Sequence, residues 1–196
     1  MLSLTLAITG FALYLLYDIN SFLWQRRLPR GFFALGTVFI VLATALALWR
    51  AVSAGAFAGV GDGLLAAAGV LFAGALVYCL FFALPFQSTY VAPQEGQRVC
   101  DRGVYALCRH PGVPCFFLAY LFVGLAALPS DFVVFGLVLS GLDVLYAWFQ
   151  DRVTFPRTFS DYDTYRQRIP FLIPTRKSID LAWRTRTRSA VKEDHP

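Results

Sequence analysis

Residues 103–111 read Gly-Val-Tyr-Ala-Leu-Cys-Arg-His-Pro. Arg109 carries a planar guanidinium, the group best shaped to grip a carboxylate through two parallel hydrogen bonds. His110 beside it donates or accepts a proton near neutral pH. Pro111 suits the start of a helix, and the N–H groups just after it point toward any anion placed there. Gly103 permits a backbone angle that other residues avoid. Tyr105 offers a flat face with a polar tip. The alternative is that an Arg-His pair at the edge of an apolar run is ordinary basic decoration of a membrane loop.

A second set of polar residues closes the last apolar run. Asp143, Tyr146 and Gln150 are spaced to share one helical face, and Asp151 follows at once. A carboxyl group inside a membrane span is costly, so Asp143 should face protein interior or a cavity. It reads equally as a functional group or as an ion-pair partner for a basic residue near the motif. Gln150 and Asp151 sit at the cytoplasmic edge, where they could meet Arg109 and His110. A third stretch, Asp151–Gln167, is polar with Phe155, Phe159, Tyr162 and Tyr165 at helical spacing. It reads as an amphipathic helix lying on the membrane surface, with Pro156 kinking it early and Ser160-Asp161 capping a fresh turn.

The elements that must hold these groups are apolar helices. The chain is 58% hydrophobic and 15% charged, well below the roughly 25% charged of a soluble domain. Apolar runs cover Leu2–Trp24, Gly31–Trp49, Gly63–Phe86, Val113–Leu128 and Phe132–Phe149. Spanning helices need about 17–25 residues, so the fourth run is marginal, and a hairpin of the last two that does not fully cross is an alternative. The first run has no basic residue before it and no small-residue cleavage site, so it reads as a retained span.

Basic residues set the orientation. The first loop holds Arg26, Arg27 and Arg30, the second only Arg50, the third Arg98, Arg102 and Arg109, and the fourth none. Ten more follow the fifth run. Five spans with the N-terminus outside and the C-terminus in the cytoplasm put sixteen of the 17 basic residues inside. The expected fold is therefore an all-α integral membrane helical bundle of about five transmembrane helices. Residues 1–174 form a single domain, with a motif loop at 87–112 and a C-terminal site segment at 150–174, both on the cytoplasmic side. Residues 175–196 form a basic cytoplasmic tail that contacts lipid headgroups and frays at Glu193–Pro196. The net charge of +5 fits the cytoplasmic leaflet and not nucleic acid, because the basic residues lie beside apolar runs. Cys108, His110 and Cys115 match no zinc spacing, and a disulfide framework does not suit a loop facing the cytoplasm.

The spacing Gly-x-Tyr-x-x-x-Arg-His-Pro ahead of a hydrophobic helix resembles the isoprenylcysteine carboxyl methyltransferase and phospholipid methyltransferase family of integral membrane enzymes. So do Tyr162-Asp163-Thr164-Tyr165 and the close Pro170-Phe171-Leu172-Ile173-Pro174. The resemblance covers roughly residues 90–174. Val113 stands where the family commonly has a Tyr, and Gln150-Asp151 where it has a Glu-Glu pair. Ser160 replaces a Gly, and the tyrosine spacing is one residue shorter.

The resemblance implies S-adenosylmethionine as cofactor, entering from the cytoplasm and bound by Gly103, Tyr105, Arg109, His110, Pro111, Gln150, Asp151, Tyr162 and Tyr165. It implies methyl transfer to a lipophilic acceptor, a carboxylate or an amine of a lipid or prenylated thiol. A carboxylate acceptor would be positioned by Arg109 or Arg166. An amine would lose its proton to Asp151 or Asp143. No metal is implied, and a bacterial inner membrane fits the compact chain. Two other readings stay open: a binding or scaffold protein that kept the fold without catalysis, and a related membrane reductase. Gly59-Val60-Gly61-Asp62-Gly63 lacks dinucleotide-site spacing, which weighs against the reductase.

Overall fold

The computed structural model describes residues 1–24, 31–83 and 98–192. Arg26, Arg27, Arg30, residues 87–97 of the expected motif loop and the expected fraying at 193–196 lie outside the described residues. Every regular element among the described residues is helical. The helices are α1 (Leu2–Ile19), α2 (Phe32–Ser53), α3 (Val60–Val77), α4 (Gly112–Ala126), α5 (Phe132–Phe149), α6 (Phe155–Thr158), α7 (Tyr162–Arg168) and α8 (Arg176–Lys192). Helices are the natural solution here because lipid leaves backbone N–H and C=O groups no partner outside their own segment. π-helical turns extend α1 over Asn20–Trp24, α3 over Tyr78–Phe82 and α5 over Gln150–Thr154.

Among the described residues, four helices are long and apolar enough to cross a membrane: Leu2–Leu23, Phe32–Ser53, Val60–Phe82 and Phe132–Thr158. α4 has 15 residues. At 1.5 Å per residue it is about 22 Å long, short of the roughly 30 Å hydrocarbon core. The marginal length of the fourth apolar run thus reappears as a short helix.

The chain divides into two compact units. The first comprises Met1–Ala73 and Phe116–Thr154. Its core joins Ala7, Phe11, Ile40, Ala43, Ala47 and Ala51 of α1 and α2 to Phe132, Phe135 and Leu139 of α5. α1 and α2 approach closely because two glycines face each other. A Cβ on Gly36 would sit 2.8 Å from the Gly10 carbonyl oxygen, and one on Gly10 would sit 2.9 Å from the Gly36 oxygen. Small residues at a crossing let membrane helices gain dispersion contact where no hydrophobic drive exists between them. Thr44 and Tyr120 add a hydroxyl–hydroxyl hydrogen bond across the same unit.

The second unit comprises Gly74–Cys115 and 155–196. It is built on Tyr162, Tyr165 and Ile169, with Val99, Phe155, Phe159 and Leu181 packed against them. The expected surface helix over Asp151–Gln167 is corrected here. Pro156 has no N–H to return to the preceding turn, and the chain meets it with the π-helical turn before it and a helix that stops at Thr158. The chain resumes as α7, and its aromatic residues turn into protein. Tyr162 and Tyr165 are only 2% and 3% exposed, and Phe155 meets Phe159 and Tyr162 edge to face at 5.6 and 5.5 Å.

α8 is opened by a reciprocal cap. The Thr175 N–H donates to Ser178 Oγ at 2.9 Å and the Ser178 N–H to Thr175 Oγ1 at 3.2 Å. The expected tail is therefore helical over most of its length. It carries a buried stripe, Ser178 and Ala182, with Leu181 against the tyrosine core.

Candidate functional site

The motif begins where the chain leaves an extended Arg102 and enters a single 3₁₀ turn over Gly103–Ala106. Gly103 takes φ +57°, the left-handed region that an L side chain enters at a cost. No atom would obstruct a Cβ there, so the dihedral alone calls for glycine. The turn is tied on two sides. Tyr105 donates its hydroxyl to the Cys79 carbonyl at 2.9 Å. Tyr165 donates its hydroxyl to the Tyr105 carbonyl at 2.6 Å. α8 packs against the same turn.

The Arg-His-Pro end of the motif is joined backbone to backbone with the Pro-Phe-Leu-Ile-Pro close. The Arg109 N–H donates to the Pro170 carbonyl at 2.9 Å, and the His110 N–H to the Phe171 carbonyl at 3.3 Å. The Arg109 side chain then reaches the end of α7. Its Nη1 donates to the carbonyls of Arg166 at 3.1 Å and Ile169 at 2.6 Å. The last carbonyls of a helix lack intrahelical donors and sit at the negative end of its dipole, so a guanidinium is well placed there. The Arg109 guanidinium carbon lies 5.6 Å from the Phe171 ring centre, a cation–π contact. His110 is 8% exposed. It stacks on Phe155 at 5.5 Å and meets Phe171 edge-on at 5.3 Å. Pro111 leads directly into α4, whose first turn is steadied by the Val113 N–H donating to the His110 carbonyl.

Asp161 stands at the N-cap position of α7, as the sequence suggests, but its carboxylate does not cap that helix. It accepts from the Val99 N–H at 2.9 Å and from Arg98 Nε at 3.2 Å. Partial desolvation works against its charge, yet the Val99 N–H and Arg98 hold the carboxyl below its usual range. Arg168 and Asp101 pair at 3.5 Å, a second tie between the approach to the motif and α7. Arg166 pairs with Asp163 at 3.4 Å one turn back on the same helix. Burial pushes the Cys108 thiol up to about 11, so it stays protonated at neutral pH. Burial likewise raises Tyr165 and keeps its phenol a proton donor.

Of the residues singled out in the sequence, Gly103, Tyr105, Arg109, His110, Pro111, Tyr162, Tyr165 and Arg166 are all in the second unit. Gln150 and Asp151 belong to the first, on the π-helical turn that ends α5. Asp151 is 3% exposed. Gln150 and Tyr146 stand beside the carboxylate of Asp18, to which Thr154 donates at 3.3 Å. Asp18, Asn20 and Thr154 are nearly fully buried, so a polar cluster joins the ends of α1 and α5. Asp18 and Asn20 were visible in the sequence only as interruptions of an apolar run. The signal that could have found them is the rarity of a buried carboxyl in a span.

Among the described residues, no group of three His, Cys, Asp or Glu side chains is arranged to hold a metal ion. A surface depression lined by Trp49, Arg50 and Asp131 lies in the first unit and includes none of the motif residues. Compared with protein-family models, curated proteins and solved structures, the chain matches none of them.

Proposed function

We propose that this integral membrane protein is an S-adenosylmethionine-dependent methyltransferase acting on a lipophilic acceptor. The observation that carries the reading is the backbone pairing of Arg109 and His110 with Pro170 and Phe171. Those are the two most distinctive parts of the family-like pattern, and they are distant in sequence. Their direct pairing supports treating them as one working unit.

The donor set fits the chemistry of such a cofactor. An amino-acid carboxylate calls for a cation, supplied by Arg109. Tyr105 and His110 offer hydrogen-bonding groups and flat faces for a ribose and a purine. Tyr162 and Tyr165 are buried, so in this reading they position the turn from beneath. Gly103 sets the turn's direction. S-adenosylmethionine would supply an electrophilic methyl on a sulfonium, already a good leaving group. The chain's task is then to align the acceptor, hold it and exclude water. Arg109 or Arg166 would orient a carboxylate acceptor. In the proposed topology α4 is a fifth, short span, the N-terminus is outside, and the site faces the cytoplasm of a bacterial inner membrane.

Calorimetry on detergent-purified protein tests this, with S-adenosylmethionine and S-adenosylhomocysteine as ligands and His110→Ala and Arg109→Ala alongside. Micromolar binding to the wild type, lost in both variants, is expected. No binding by folded wild type overturns the reading. One observation would then favour the second reading, a binding or scaffold protein that kept the fold. Arg109 Nη1 and the Tyr165 hydroxyl already serve backbone carbonyls, which is the use a purely structural motif would make of them.

A further inference from the structure

α8 has two faces with different chemistry. Ser178, Leu181, Ala182 and Thr185 fall on one side at helical spacing. Ser178 is 1% and Ala182 8% exposed, and Leu181 packs on the Tyr162–Tyr165–Ile169 core. α8 also packs against the Gly103–Ala106 turn. Arg176, Ile179, Trp183 and Arg184 fall on the opposite side, and all four are exposed. Ile179 is 52% and Trp183 71% exposed. Arg184 pairs with Asp180 at 2.9 Å, but both side chains remain largely in solvent. Asp180 is the one acidic residue of the helix, against six basic ones: Arg176, Lys177, Arg184, Arg186, Arg188 and Lys192.

A tryptophan and an isoleucine set among arginines on one exposed helical face is the pattern of a helix lying in a membrane interface. Indole prefers the headgroup level, and the basic residues favour an anionic leaflet. Among the described residues, four helices are long and apolar enough to cross a membrane, so the protein has a bilayer of its own to offer such a face. The charge is complementary to anionic headgroups and not to a neutral surface.

We propose that α8 is a strap whose outer face docks on the anionic lipid surface of the protein's own bilayer, and whose inner face thereby holds the Gly103–Ala106 turn in place. Lipid composition then reaches the motif through one helix. The Tyr105 and Leu107 N–H groups close the turn onto Arg102 and Val104, and beyond these and its two tyrosine ties its order depends on what packs against it, α8 included. The inference does not depend on the identity of any cofactor, because it concerns the turn and not its ligand.

The test is hydrogen exchange on the full chain in nanodiscs of phosphatidylcholine alone or mixed with phosphatidylglycerol. Amides of 176–185 and of 103–107 should exchange severalfold more slowly in the anionic discs, and the difference should shrink as salt is raised. Arg176→Gln combined with Lys177→Gln and Arg184→Gln should remove the difference at both segments. Trp183→Ala should weaken it in the anionic discs. Amides of α2 serve as the control for an intact fold and should not change. Equal protection in the two lipid mixtures overturns docking. Slower exchange in α8 with no change at 103–107 overturns the coupling.

Discussion

Tyr165 donates its phenolic proton to the backbone carbonyl of Tyr105 at 2.6 Å. Tyr165 is 3% exposed, so the carbonyl has no easy recourse to water on that side. Tyr165→Phe should cost about 1–3 kcal/mol, the price of leaving a buried acceptor unmet. The loss should appear as faster exchange of the Leu107 amide, which closes the same turn onto Val104. An unchanged Leu107 amide would show that Tyr165 merely fills space.

Arg109 should prove structural as well as functional. Removing its side chain leaves the carbonyls of Arg166 and Ile169 without their shared donor. Arg109→Ala should lower stability in detergent by about 2–3 kcal/mol, as for hydrogen bonds to a charged group. Arg109→Lys keeps the charge but loses the planar fork. It should recover part of the stability and little of any carboxylate binding. Full recovery of both by lysine would refute the geometric role of the guanidinium.

Gly103 offers a separate test of backbone against packing. At φ +57° an alanine should cost about 1–2 kcal/mol from conformation alone. Asn, which tolerates this region better, should cost less than Ala despite its larger size. The reverse order, measured by thermal unfolding, would point to crowding that the open space around Gly103 does not suggest.

Asp161 links stability to acid. Its carboxyl is held below the ordinary 3.8, so the folded state favours the ionised form. That contribution is complete above the unfolded-state value and is lost as pH falls through the lower folded-state value. With its side chain 29% exposed, the group should contribute only about 1 kcal/mol. Asp161→Asn should speed exchange at the Val99 amide at neutral pH, and the gap between variant and wild type should close in strong acid. A gap that persists below the folded-state pKa would assign the effect to shape and not charge.

The helical membrane character was legible from apolar run length, and the short fourth run gave a short α4. Gly103's dihedral was legible because few other reasons place glycine at the start of such a motif. The aromatic spacing from Phe155 to Tyr165 correctly marked one face, but period alone could not say whether lipid or protein covers it. Protein does: the helix ends at Thr158, α7 begins at Tyr162, and Phe155 and Phe159 pack against Tyr162, Tyr165 and Ile169. Asp161's carboxylate leaves its own helix for Val99, and Asp18 meets Thr154 from the far end of the chain. Such pairings depend on tertiary placement, which local periodicity does not encode. The inner face of α8 was hidden for a related reason: small residues among arginines look like a solvated tail until a partner is found for them.

The pairing of Arg109 and His110 with Pro170 and Phe171 also has a consequence during synthesis. Chains emerge N-terminus first, and Arg109 leaves the ribosome about sixty residues ahead of Ile169. Until the later stretch follows, two backbone donors and a guanidinium of the motif lack their mature acceptors. α5 is made within that interval. Nascent chains stopped just before Pro170 should therefore insert their helices and still show the motif as an open, protease-sensitive segment, whereas chains released a few residues later should close it.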